Sequence, residues 1–166
     1  MKKLSLTMLM LTLGLAAVLM GLAAPSIGNF MRSSRVAADA RDLVTDFALA
    51  RDEAVMRGRR VTVCTSDDLE ACSNGGWSEG RLIFVDGGTA GAVDGTDVVL
   101  LRSQPPAEAA WTTASGIATA NRVSFPANGR LTGVGRINLC IEGQTQRRID
   151  LSRSGLATLN RTNTSC

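Results

Sequence analysis

Hydrophobic positions along the chain follow two regimes. From Leu4 to Ala24 stand 21 residues without a charge, with Lys2-Lys3 before them and Arg32 and Arg35 after. Wound as a helix, the run is about 31 Å long, enough for a bilayer core. Three readings fit it: a cleaved secretory signal with Gly21-Leu22-Ala23 as its small-residue exit, a single-span anchor, or the front half of a helix that continues into a folded part. The run exceeds the roughly 7–15 apolar residues usual for a signal, and the pattern of residues 36–55 favours the third reading. Val36, Ala40, Leu43, Phe47, Ala50 and Ala54 recur at steps of three and four, and Val44, Ala48 and Val55 widen the stripe. Asp39, Arg41, Asp42, Asp46, Arg51, Asp52 and Glu53 are assigned to the opposite face. Pro25 and Gly28 weaken a helix without having to end it, whereas Gly58 after Arg57 is a natural left-handed stop. The pattern predicts a rod from Leu4 to Arg57, about 81 Å long if unbroken. Two helices joined at Pro25-Ser26 are the alternative.

Beyond Gly58 the period changes from helical to alternating. Short strands are predicted at 61–65, 81–85, 98–101, 122–125, 136–140 and 147–151, with Ser73-Asn74-Gly75-Gly76, Asp86-Gly87-Gly88, Asp94-Gly95 and Ala127-Asn128-Gly129 as turns. Val123-Ser124-Phe125 and Ile149-Asp150-Leu151 each reach a glycine (Gly129, Gly155) at the same spacing, and both read as strand, turn and returning strand. The fold class is α+β, a long N-terminal helix packed on antiparallel β-sheet. The chain divides into three segments: an apolar helix half over 1–24, an amphipathic half over 25–58 and a β-rich head over 59–166.

Composition narrows the chemistry. The chain has 166 residues and no histidine, which removes Ser-His-Asp triads, Cys-His dyads and His-ligated metals together. A net charge of +3 is too small to indicate a nucleic-acid binder. Its distribution says more: residues 61–121 hold two Arg and eight acids, whereas residues 122–166 hold seven Arg and two acids. In an exported domain, Cys64, Cys72, Cys140 and Cys166 point to disulfides. Pairing neighbours, Cys64 with Cys72 and Cys140 with Cys166, is worth roughly 2.6 and 3.6 kcal/mol in the chain-entropy model. The second bond would tie back a tail, Asn160 to Ser165, that otherwise reads as fraying. Zinc is disfavoured because no Cys-x-x-Cys pair exists.

Arg35-Val-Ala-Ala-Asp-Ala-Arg-Asp-Leu-Val, Leu49-Ala-Arg-Asp-Glu-Ala-Val-Met-Arg-Gly with Arg59-Arg-Val-Thr-Val-Cys64 after it, Gly76-Trp77-Ser78-Glu79-Gly80 with Leu82–Asp86, and Val123-Ser124-Phe125-Pro126-Ala127-Asn128-Gly129-Arg130 occur in this order. The set closely resembles the GspH/FimT family of type IV minor pilins and pseudopilins. The resemblance implies a structural subunit of a type IV pilus or type II secretion system. Its apolar helix would lie in the inner membrane or a filament core, its head in the periplasm, and its partners would be other pilin-like subunits. It implies no enzyme, cofactor or metal. Family members normally carry Gly-Phe-Thr-Leu-x-Glu, cut after the Gly by prepilin peptidase. With Pro25 on the family's helix proline, Lys3 stands at the Gly, Leu4 is the residue after the cut and Met8 stands at the Glu. A buried carboxylate paired with a neighbour's amine is a register device; this chain lacks it, which fits a tip or initiating component, an uncleaved anchored relative or a diverged copy.

Some family members are implicated in DNA uptake, which makes Arg130, Arg136, Arg147, Arg148 and Arg153 candidates for gripping DNA phosphates. Gly143-Gln144-Thr145-Gln146-Arg147-Arg148 matches the Gly-Arg-x-Arg-like stretch of that subgroup only in part, and Phe125 is the sole aromatic after Trp111, so base stacking is not provided for. The rival reading is a solvated arginine-rich face. Asp86, Asp94 and Asp97 lack calcium-loop spacing and read as a polar hairpin loop. Trp77 and Trp111 read as head core, and Asp67, Asp68 and Glu70 as solvent-facing.

Overall fold

The computed structural model of the chain describes residues 5–105, 111–143 and 145–166, with side chains throughout except at 19–27, 29, 111, 119 and 120. Lys3 and Leu4 lie outside the described residues, as does the side chain of Trp111. Helix α1 is continuous from Leu6 to Arg57, 52 residues or about 78 Å, so the one-rod expectation holds over this range and position 25 does not divide it. At its end Gly58 takes φ +61°, and the amides of Gly58 and Arg59 return to the carbonyls of Val55 and Ala54, which satisfies the last turn.

The head contains two antiparallel sheets. Strands β1 (Val61–Ser66), β2 (Gly80–Val85), β3 (Val98–Ser103) and β5 (Arg122–Phe125) form the first, in the order β3-β2-β1-β5. Strands β4 (Trp111–Gly116), β6 (Gly135–Cys140), β7 (Thr145–Leu151) and β8 (Ala157–Ser165) form the second, in the order β4-β6-β7-β8. Val36, Ala40, Leu43, Phe47, Ala50 and Ala54 are fully buried against Val61, Val63, Ile83 and Phe125 of the first sheet and Ile137, Ile149 and Leu151 of the second. The docked stripe is narrower than its sequence pattern, because Ala48 and Val55 are exposed and Val44 only partly covered. Phe47 sits at the centre, its ring 5.4 Å from Trp77 and 6.4 Å from Phe125. Trp77 joins the sheets: its backbone amide donates to Thr112 Oγ1 at 3.1 Å and its indole N–H to the Ala118 carbonyl at 3.0 Å.

One strand-turn-strand expectation is met and the other is corrected. After Gly155 the chain returns as β8, with Ile149 opposite Leu159. After Gly129 it does not return beside β5; it crosses to the second sheet as β6. The reason lies in the turns themselves. Leu131 donates to the Arg153 carbonyl, and the Gly129 carbonyl receives Arg51 Nε at 3.3 Å, so the two glycine turns dock on one another beneath the helix. Both glycines have positive φ, and a Cβ at Gly155 would strike the Gly129 carbonyl. The reading of 160–165 as a fraying tail is also corrected: β8 runs to Ser165, paired along β7.

Candidate functional site

Three features of the molecule bear on function: the undocked half of α1, the polar bonds that fix the docked half, and the arginines of the second sheet.

Leu6, Met8, Leu9, Met10, Leu11, Leu13, Leu15 and Val18 are 51–73% exposed, and no charged residue occurs between Ser5 and Met31. A helix apolar all round needs a core, a membrane or neighbouring helices to cover it. Among the described residues no helix is long and apolar enough to cross a membrane; the fully described stretch of the apolar run, residues 5–18, is only about 21 Å long. Met8 is one of the exposed apolar side chains.

The docked half is not fixed by apolar contact alone. Asp46, which the helical pattern assigns to the solvent face, is buried, and Arg81 of β2 is buried with it, each 4% exposed. Arg81 Nε donates to Asp46 Oδ2 at 2.7 Å, and the Ser103 hydroxyl of β3 reaches both carboxylate oxygens at 3.1 and 3.2 Å. One carboxylate thus ties the helix to two strands. Nothing in the sequence signals this pair, since Asp46 keeps the helical spacing of the exposed acids around it. A second buried carboxylate, Asp86, accepts from Arg60 at 2.7 Å, Thr62 at 2.7 Å and the Gly91 amide at 2.8 Å. Burial opposes its ionisation, but the bonds from Arg60, Thr62 and Gly91 outweigh burial and hold its carboxyl below the usual range.

The polar loops serve their own backbone. Asp94 caps the Thr89 and Thr96 amides, and Asp97 accepts from the amides of Gly87 and Asp94. Asp68 caps the Glu70 and Ala71 amides inside the short Cys64–Cys72 loop. The Ala71 and Glu70 amides hold Asp68 below its ordinary pKa, and the Thr89 amide with the Thr96 hydroxyl does the same for Asp94. Asp150 is also lowered; there burial is overcome by Arg136 and Asn160, then by the charge of Arg148. All four carboxyls are more acidic folded than unfolded, where they titrate near about 3.9. The folded chain therefore binds fewer protons, so their contribution is complete above about pH 4 and is lost as pH falls through the lowered values. Thermal unfolding measured against pH is expected to show a flat midpoint at mildly acidic pH and a fall below about pH 4; a midpoint rising with acid would contradict these assignments.

Two disulfides join neighbours in sequence, Cys64 to Cys72 and Cys140 to Cys166, with Cα atoms 5.6 and 5.7 Å apart. The second fastens the end of β8 to β6. The five arginines singled out in the sequence do not gather into one patch. Arg136 and Arg148 share Asp150 on the outer face of the second sheet, at 2.9 and 3.1 Å. Arg130 and Arg153 stand exposed on the docked glycine turns. Arg147 is on the opposite sheet face from Arg148, toward α1, and about 13 Å of strand separates it from the end of β7, beyond which Arg153 lies in the turn. It shares that end with Arg41 and Arg161, neither of which stands out in the sequence.

The sequence profile of the family described as "Type II transport protein GspH" matches residues 39–155. The chain belongs to the GspH family. No curated protein matches the sequence. Solved structures agree on the fold of this GspH-family member. The type IV minor pilin FimU of Pseudomonas aeruginosa superimposes with a TM-score of 0.60 at 22% identity, covering 82% of this chain and 99% of FimU. The minor pseudopilin EpsH from the type 2 secretion system of Vibrio cholerae gives 0.53 at 14% identity, covering 77% and 96%. The matched core of this GspH-family chain begins at Asp39, on the docked half of α1, and ends at Gly155 in the β7–β8 turn.

Proposed function

We propose that the chain is a non-enzymatic structural subunit, a minor pilin or pseudopilin of a type IV pilus or type II secretion system. The apolar half of α1 holds it in the inner membrane, with residues 25–58 as the amphipathic half and residues 59–166 as a periplasmic head. The observation that carries this reading is the division of labour along one unbroken helix. Its distal half buries one apolar stripe in the head, while residues 6–18 of its proximal half expose apolar side chains that are left for lipid or for the helices of other subunits. The paired cysteines suit an oxidising compartment. Met8 in place of a carboxylate leaves no charge to pair with a neighbour's amine inside the filament, which favours a place at the filament tip over repeated incorporation along the shaft. Nothing in the family match or in the scatter of the arginines supports a DNA-binding role.

Cell fractionation of the full chain tests the anchor. The protein is expected in the membrane pellet after alkaline carbonate, with the head digested by protease added to spheroplasts but not to intact cells. Recovery in the soluble periplasmic fraction with a mature N-terminus at or beyond Ala24 would mean a cleaved signal and would refute the anchor.

A further inference from the structure

At the end of the head nearest the apolar helix half, α1 and the second sheet flank an open groove of about 370 Å³ lined by Phe30, Ser33, Ser34, Ala37, Arg41, Arg147 and Arg161. The helix contributes positions 30, 33, 34, 37 and 41, which share one face. Arg147 and Arg161 lie directly opposite each other on β7 and β8. Three guanidiniums and two hydroxyls therefore converge with no acidic side chain in the lining. Among the described residues none of the three guanidiniums is engaged by a carboxylate. Burial, and then the charges of Arg161 and Arg41, pull Arg147 below the ordinary guanidinium range, so three cations are crowded here at an electrostatic cost that an anion would relieve. Like-charged groups held together without a counter-charge form a receptor for a multivalent oxyanion, and guanidinium donors match phosphate geometry.

The position of the groove selects the source of the anion. The uncharged part of α1 extends from Leu6 through Met31, 26 residues or about 39 Å of helix. A bilayer with its headgroups is about 40–45 Å thick. With Leu6 at one edge of the bilayer, Ser33, Ser34 and Ala37 emerge at the opposite headgroup layer, and exposed Phe30 and Met31 sit at its apolar edge.

We propose that this basket binds the phosphate of an anionic phospholipid in the leaflet beneath the head, clamping the head to the membrane before the subunit joins a filament. The proposal rests on the membrane-anchored reading above. The full chain is reconstituted into nanodiscs of phosphatidylcholine with increasing phosphatidylglycerol, and amide exchange is measured in β7, β8 and residues 33–41. Phosphatidylglycerol is expected to slow exchange at these amides while leaving β1 and β2 unchanged. Arg147→Gln and Arg161→Gln are each expected to weaken that response about fivefold in lipid concentration, the effect of one basic residue at an anionic surface. Arg41→Gln, on the exposed helix surface, gives the same readout if the strand variants disturb folding. A chain that inserts but shows no phosphatidylglycerol dependence overturns the headgroup site and leaves the anchor standing; a chain that does not enter the discs overturns both. Equal protection by inorganic phosphate in pure phosphatidylcholine discs, or protection by an oligonucleotide alone, would assign the basket to a free anion or to nucleic acid and overturn the lipid as its ligand.

Discussion

Replacing Asp46 with alanine is expected to destabilise the head by about 3–5 kcal/mol, because it strands the Arg81 guanidinium inside the helix–sheet seam. Removing the partner instead, as Arg81→Met, leaves a buried carboxylate with only the Ser103 hydroxyl and is expected to fall in the same range. The double variant Asp46→Leu/Arg81→Met replaces both charges with apolar volume and is expected to recover most of the loss, since the desolvation of two ions disappears with their attraction. Urea unfolding of the full chain in mild detergent, monitored by tryptophan emission, measures all three. If the double variant were as unstable as the sum of the singles, the two side chains would be acting independently and the tie between α1, β2 and β3 would be refuted.

Truncating Phe47 is expected to be about as damaging. Its ring fills the space between the two sheets and touches both Trp77 and Phe125, so Phe47→Ala removes a large buried side chain and opens a cavity, for about 3–5 kcal/mol. Phe47→Leu retains most of the volume and is expected to lose well under half of that. The ring also packs on Trp77, whose bonds to Thr112 on β4 and to Ala118 in the turn after it tie the β1–β2 loop to the edge of the second sheet. A blue shift of tryptophan emission with unchanged stability in Phe47→Ala would contradict this placement; a red shift with a lowered urea midpoint is the expected result.

The helix and the first sheet were legible because each repeats one simple period. Val36, Ala40, Leu43, Phe47, Ala50 and Ala54 keep helical spacing and all lie in the seam. β1 alternates as Val61-Thr62-Val63, β2 carries the apolar run Leu82–Val85 of a strand buried on both faces, and Gly58 marked the change of period. Strands β4 and β8 escaped because their sequences, Trp111-Thr-Thr-Ala-Ser-Gly and Ala157-Thr-Leu-Asn-Arg-Thr-Asn-Thr-Ser, are polar and lie at the edges of their sheet. An edge strand half open to water needs little apolar content, and β8 is secured by its pairing with β7 and by Cys166 rather than by burial. The crossing at Gly129 was hidden for a different reason. A turn motif specifies a change of direction but not which strand the chain will join, and that choice was made by contact with the Gly155 turn, far along the sequence.

The same limit applies to function. The buried ion pair and the basket of arginines are each assembled from distant segments, Asp46 with Arg81 and Arg41 with Arg147 and Arg161, and neither leaves a local motif. Arg136 and Arg148, conspicuous in sequence, turn out to share one carboxylate on the outer face.

Photo-crosslinking in cells from position Leu13, in the undocked half of α1, bears most directly on the claim that this half is left for partners outside its own head. The expected products are adducts with the apolar helices of other pilin-like subunits and with lipid, and none with residues 59–166 of the same chain. Crosslinks from Leu13 into its own β-strands would show the helix folded back on the head, and the division of labour along α1 would be wrong.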